Sequence, residues 1–252
     1  MPLTRLLSLA LTPEQERLIW LAGSIALYVV ATNLVWALQP ALGRVRWSSA
    51  ASIPVGIIRF VFYVGIPYAA LLGGVVNLKS LGLVEVPSHA SLNQGVLLSI
   101  SAVFLMGLIG WYYRRAVMAL GKGVVPPLLS VQQLLGQPWG WVLVLIRVIY
   151  QQVHWAFYRA LPFLILGDLY IGSFLGLALA LLEAYASPQI RLEATEPGGI
   201  EWLVLSAGFA VMSAVLFVVT ETSWLGAGAH LTAAVAWILL SQLRKSLRPR
   251  QS

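Results

Sequence analysis

Apolar residues in this chain fall in long, nearly unbroken runs, and polar residues cluster in the short stretches between them. A run of about 20 apolar residues is what a helix needs to cross a hydrocarbon core of about 30 Å. The pattern predicts seven such spans, over residues 18–38, 53–76, 95–113, 139 to 161 or 166, 169–186, 200–220 and 224–243. Their ends carry helix signals. Thr12-Pro13-Glu14-Gln15 reads as an N-cap, a first-turn proline and a capping-box residue. Gln39-Pro40 and Pro188 stop their helices, and Arg114-Arg115 ends the third at the headgroup level. Gly167-Asp168 reads as a tight turn between two spans, and Pro162 as a kink just before it. Trp139 and Trp141 suit an interfacial aromatic belt, after a basic loop with Gly121, Gly123 and Pro126-Pro127 that ends at Gln137-Pro138. Residues 2–11 are too short to span and are expected on the membrane surface. The first long run carries no small-residue cleavage pattern and is read as a retained helix.

Composition supports this reading. Of 252 residues, 59% are hydrophobic and 10% charged, against about 25% charged in a soluble domain. The expected fold class is therefore an all-α, polytopic transmembrane helix bundle. One membrane domain covers 1–252, with an interfacial segment at 1–16 and a basic tail at 244–252. There is no cysteine, which excludes disulfides, thiolate metal sites and cysteine nucleophiles.

The net charge of +7 raises nucleic acid as a partner, but the basic residues are dispersed in loops, which fits the cytoplasmic bias of Lys and Arg better. Arg44, Arg46, Arg114, Arg115, Lys122, Arg191, Arg244, Lys245, Arg248 and Arg250 share one predicted side, and Arg5, Arg17 and Lys79 the other. This places the C-terminus in the cytoplasm and makes the lipid bilayer, not nucleic acid, the partner.

Polar groups within spans are costly and mark candidate sites. Arg147, Gln151, His154 and Tyr158 repeat at four, three and four positions, on one helical face, with Gln152 and Arg159 beside it. Such a stripe either holds helices together by hydrogen bonds or carries chemistry. Arg147 and Arg59 also lie where they can snorkel to the cytoplasmic interface. Glu183 follows an apolar run. A fold-back at Gly167-Asp168 brings it to the depth of His154, whereas an interfacial Glu183 pairs with Arg191. His230 sits among small residues that allow close helix approach, and His89 reads as a solvated loop residue.

At these residues the chain resembles a known family. His154-Trp155-Ala156-Phe157-Tyr158-Arg159-Ala160 is similar to the Glu-Glu-x-x-Phe-Arg-Gly signature of the CPBP family, which includes the type II CAAX prenyl endopeptidases and bacterial intramembrane metalloprotease homologues. Residues 179–183 resemble its Phe-x-x-x-His motif, and residues 220–231 the segment leading into its His-x-x-x-Asn motif, with His230 on the motif histidine. The resemblance covers residues 139–243, a CPBP-like core in the C-terminal half. His154 and Trp155 stand where the family has two glutamates, Glu183 where it has a histidine, and Ala234 where it has asparagine. Arg159 and His230 match.

The resemblance implies an intramembrane metalloprotease homologue in a bacterial plasma membrane, acting on a membrane peptide or protein. His154, Glu183 and His230 would hold a divalent metal such as Zn²⁺ or polarise water, and Arg159 would steady a carboxylate or oxyanion. The chain lacks the family's second glutamate, a free carboxylate for the role of general base, and Asp168 and Glu221 are the only other nearby acids. Two alternatives accompany this: a catalytically silent scaffold or chaperone relative, and a haem or pigment carrier with His154 and His230 as axial ligands beside Trp155, Trp237 and Arg159.

Overall fold

The structure, a computed structural model, describes residues 11–42, 52–84, 86–120 and 139–246. The surface segment at 2–11, the basic loop from Gly121 to Pro138, Arg44, Arg46 and the end of the tail lie largely or wholly outside these residues. Among the described residues the regular structure is all helix, with no strand. The helices are α1 (Pro13–Leu42), α2 (Ser52–Phe60), a π-helical turn (Val61–Gly65), α3 (Ile66–Leu72), α4 (His89–Ala119), α5 (Gly140–Leu166), α6 (Leu169–Ala186), α7 (Pro188–Glu193), α8 (Pro197–Thr220) and α9 (Ser223–Ser246). Four segments are long and apolar enough to cross a membrane: Pro13–Leu38, His89–Ala119, Leu169–Ala186 and Gly199–Thr220.

The helix ends follow local chemistry. Thr12 Oγ1 accepts from the Gln15 amide at 3.3 Å, and Gln15 Oε1 accepts from the Thr12 amide at 3.0 Å, the reciprocal capping box. Ser88 caps α4 by accepting from Ser91 N at 3.1 Å. This puts His89 in the first helical turn, exposed, rather than in a loop. In the second predicted span the helix is shorter than the apolar run, because Gly73 and Gly74 close α3, the latter at φ +76°. Beyond them Val75, Val76, Ser80 and Leu81 are buried outside any helix, with Val75 N donating to Ala70 O at 2.9 Å and Leu81 N to Asn77 O at 3.1 Å. Asn77 and Ser80 satisfy that stretch. Ser80 N donates to Asn77 Oδ1 at 2.7 Å, and Asn77 N to Ser80 Oγ at 3.1 Å.

The chain forms two compact units. The first comprises residues 1–85 and 153–192. Its core joins Leu21, Ala70, Val76 and Leu81 to Phe157, Tyr158 and Leu161. Here α5 and α6 form a tight antiparallel hairpin. Gly167 ends α5 at φ +68°, a conformation glycine adopts without strain. Asp168 then caps α6, accepting from Ile171 N at 2.8 Å. Pro162 lies inside α5 and supplies no N–H to the Tyr158 carbonyl one turn back. Gly176 of α6 lies directly on that carbonyl, so close that a Cβ there would collide with the Tyr158 and Arg159 backbone. The proline and the glycine therefore belong together: one strips a carbonyl of its helical donor, and the other lets a neighbouring backbone cover it. Helix α1 lies against the hairpin, with Arg17 Nη1 donating to Leu164 O at 3.0 Å and Ser24 Oγ 3.2 Å from the Tyr158 hydroxyl.

The second unit comprises residues 86–152 and 193–252. Helix α8 runs antiparallel to α4: Gly95 meets Thr220, Gly208 meets Met106, and Arg114 pairs with Glu201. A left-handed Glu221, at φ 52°, turns the chain into α9.

Candidate functional site: a buried imidazole–carboxylate pair

In the first unit His154 and Glu183 meet. His154 Nε2 lies 3.2 Å from each Glu183 carboxylate oxygen, and both side chains are 4% exposed. The tight hairpin explains the meeting, since His154 precedes and Glu183 follows the Gly167 turn by similar lengths of helix. A carboxylate only accepts, so Nε2 carries the hydrogen. The second ring nitrogen, Nδ1, is buried and has no hydrogen-bond partner among the described residues.

Aromatic rings enclose the imidazole. The centroids of Phe62, Tyr63 and Tyr158 lie 5.1, 5.0 and 4.3 Å from it. Phe62 and Tyr63 are adjacent in sequence, and both reach the same ring from the π-helical turn. A π-bulge widens the helix locally, and such bulges recur at functional sites. The phenol groups also reach the carboxylate side. Tyr158 interacts with Glu183, and Tyr28 with Glu183, Tyr63 and Ser187. The result is an imidazole, a carboxylate and several hydroxyls in a ring-walled space. Arg159, also buried, lies five positions beyond His154 with its backbone under Gly176.

His230 belongs to the second unit and has its own partners. Its Nδ1 lies 3.2 Å from Gln152 Nε2, and its ring stacks on Phe209 at 4.2 Å and 22°. Ser213 Oγ donates to Gln152 Oε1 at 2.8 Å. Arg147 of the second unit packs on a tryptophan. Its guanidinium lies 4.1 Å over the Trp202 ring, a cation–π contact.

The two other acids are occupied by local structure, Asp168 as the α6 cap and Glu221 as an exposed residue at the α8 C-terminus. Arg191 donates to the Tyr185 and Ala186 carbonyls at 3.2 Å, so it closes the end of α6. Among the described residues no group of three or more His, Cys, Asp or Glu side chains is arranged to hold a metal ion. No protein-family model, no curated protein and no solved structure matches this chain.

Sequence reasoning missed Ser24, Tyr28, Phe62 and Tyr63 around the pair, and the buried Arg114–Glu201 bridge. Leu21, Ser24 and Tyr28 repeat at helical spacing on one face of α1, a signal that was there to read. Phe62 and Tyr63 carry no such signal, because a π-bulge breaks the 3.6-residue period on which it depends.

Chemically, the pair matches the base half of a hydrolytic triad. A carboxylate holds one imidazole nitrogen as N–H and thereby leaves the other with its lone pair outward, ready to take a proton.

Proposed function

We propose that this chain is a CPBP-like intramembrane hydrolase homologue of seven spans, in a bacterial plasma membrane with its C-terminus cytoplasmic, that cleaves a peptide bond of a membrane peptide or protein. The observation that carries the reading is the buried Nδ1 of His154, opposite the nitrogen held by Glu183. His154 acts as general base: Nδ1 takes a proton from water as the oxygen attacks the carbonyl carbon. Glu183 fixes the ring and stabilises the imidazolium that forms. The same proton then passes to the leaving amine. Arg159 supplies positive charge for a substrate carboxylate or the oxyanion.

A catalytic Zn²⁺ takes three protein ligands and an open position. Our reading assigns Glu183 to the imidazole nitrogen it bonds, as an orienting carboxylate, and leaves His230 with Gln152. The reading therefore routes no step through a metal.

The test is cleavage of a membrane-peptide library by the purified protein in nanodiscs, read by mass spectrometry. Cleavage should persist after chelation, and His154→Ala should slow it by about 10²–10⁴-fold, the usual worth of a general base. Cleavage that chelator abolishes and Zn²⁺ restores would return the site to the metal version. A wild-type protein that cleaves nothing, or a His154→Ala variant at full rate, would overturn the hydrolase and leave the silent-scaffold reading.

A further inference from the structure

Several hydroxyl side chains in these helices donate back to their own backbone one turn earlier. Thr32 Oγ1 lies 2.8 Å from Tyr28 O, Ser99 Oγ 2.7 Å from Gly95 O, and Thr232 Oγ1 2.8 Å from Gly228 O. Ser24 of α1 does otherwise. Its hydroxyl is buried and lies 3.2 Å from the Tyr158 hydroxyl of α5, its one hydrogen-bond partner among the described residues. Tyr158 follows His154 by four residues, so both stand on one face of α5, with their rings 4.3 Å apart. The same Tyr158 hydroxyl interacts with the Glu183 carboxylate of α6. The directions of these contacts follow from the groups themselves. A carboxylate only accepts, so Tyr158 gives its single proton to Glu183. The phenol oxygen is then left to accept, and the Ser24 hydroxyl is its donor. His154 alone does not settle the carboxylate. Its Nε2 stands 3.2 Å from both oxygens, at the long limit of an N–H···O bond. One N–H shared evenly between two oxygens chooses neither.

We infer that Tyr158 is a positioning residue that fixes the Glu183 carboxylate behind His154, and that Ser24 aims the Tyr158 hydroxyl. The hydrogen bonds run from Ser24 to Tyr158 to Glu183, and the His154 N–H enters the carboxylate from its own side. Three helices of the first unit supply the chain, and all four side chains are buried. Gly176 lies on the Tyr158 carbonyl and anchors the backbone that carries the phenol. A hydrogen bond received by a hydroxyl strengthens the one it gives, so Ser24 acts on Glu183 through Tyr158. The effect on turnover rests on the hydrolase reading, whereas the order of hydrogen bonds rests on Glu183 being a carboxylate.

The chain has only three histidines, which makes the test direct. The protein is labelled with ¹⁵N-histidine in nanodiscs, and the Nε2 proton of His154 is assigned by its loss in His154→Gln. Tyr158→Phe keeps the ring, removes the hydroxyl, and should move that signal. Ser24→Ala should move it in the same direction by less. In the Tyr158→Phe background, Ser24→Ala should add nothing, because its route to Glu183 is gone. A role in packing alone would lower the stability of each variant and leave the signal in place. In the cleavage assay, Tyr158→Phe should lower kcat by about 10–100-fold with KM little changed, the usual cost of losing a group that orients a catalytic side chain. An unmoved signal in Tyr158→Phe, or a Ser24→Ala effect that persists in full beside Tyr158→Phe, overturns the inference. If Tyr158→Phe does not fold, Ser24→Ala decides, since an unmoved signal there breaks the link. A protein that cleaves nothing yet shows the graded shifts keeps this inference and overturns the hydrolase reading.

Discussion

The His154 cluster and the His230 cluster each bury one imidazole to below 5% exposure, yet they solve the same problem with different chemistry. His154 is opposed by a carboxylate, and His230 by a neutral amide that is itself held by a hydroxyl. A neutral imidazole held by a carboxylate carries one negative charge, and a proton taken up at the free ring nitrogen makes the pair neutral overall. That lets the pair accept a proton without leaving an imidazolium alone in a medium where a lone charge is costly. An amide and a hydroxyl have no proton to share, so their network fixes geometry and nothing more. The difference separates a group built to exchange a proton from a group built to point. It also predicts unequal costs when each cluster is broken.

The largest effect is expected at the pair. Glu183→Ala leaves a buried imidazole without its partner, and breaking a buried pair from one side costs about 3–5 kcal/mol. Unfolding of the purified protein in mixed detergent micelles would measure it. Because most of that cost is the stranded partner, removing both sides together should recover much of it, and a His154→Phe, Glu183→Leu double variant should unfold closer to wild type than Glu183→Ala alone. If Glu183→Ala costs less than about 1 kcal/mol, the pair is not the distinguishing feature of its unit.

A second way to sharpen the contrast uses glycines. Gly176→Ala drives a methyl into the Tyr158 carbonyl, and forcing extra volume into a packed contact costs about 1–3 kcal/mol. In the second unit, a Cβ at Gly228 meets nothing within 4 Å, and a substitution that disturbs no contact stays within about 0.5 kcal/mol. The same unfolding measurement on Gly176→Ala and Gly228→Ala tests this. The Gly176 variant should also weaken His154–Glu183 coupling in a double-mutant cycle, since it pries apart the hairpin that aligns them. Equal costs for the two glycines would remove the hairpin from the argument.

Much of the site's placement was legible in the sequence. The turn at Gly167-Asp168, with a left-handed glycine and a capping carboxylate, sets two helix lengths, and equal lengths put His154 and Glu183 at one depth. Helix ends at Thr12, Ala186 and Thr220 were legible for the same reason, because capping and stop signals are local. The role of Gln152 was not, since an amide beside a polar stripe looks like part of the stripe until the helix it meets is known. The helix is also buried all round from Ala156 to Pro162, so a single-face reading undercounted its contacts. The break of the second predicted span at Gly73 and the return of Val75 and Val76 into the core lay inside one apolar run. Hydropathy cannot separate a buried loop from the helix before it.

The smallest predicted effect bears most directly on what the second cluster is for. Ser213→Ala removes one hydroxyl that donates to the Gln152 carbonyl. Interhelical hydrogen bonds of membrane proteins contribute about 0.6 kcal/mol on average, because the membrane-embedded unfolded helices find other partners. A loss near that size is expected in the same unfolding assay, several-fold below that of Glu183→Ala. A hydroxyl worth so little to stability can still decide which way an amide faces, since the two faces of a glutamine differ only in whether they donate or accept. A Ser213→Ala cost approaching that of Glu183→Ala would mean that the His230 network bears stability as the pair does, and the division between a proton-exchanging cluster and a pointing one would fail. A small cost would leave geometry as what that hydroxyl contributes.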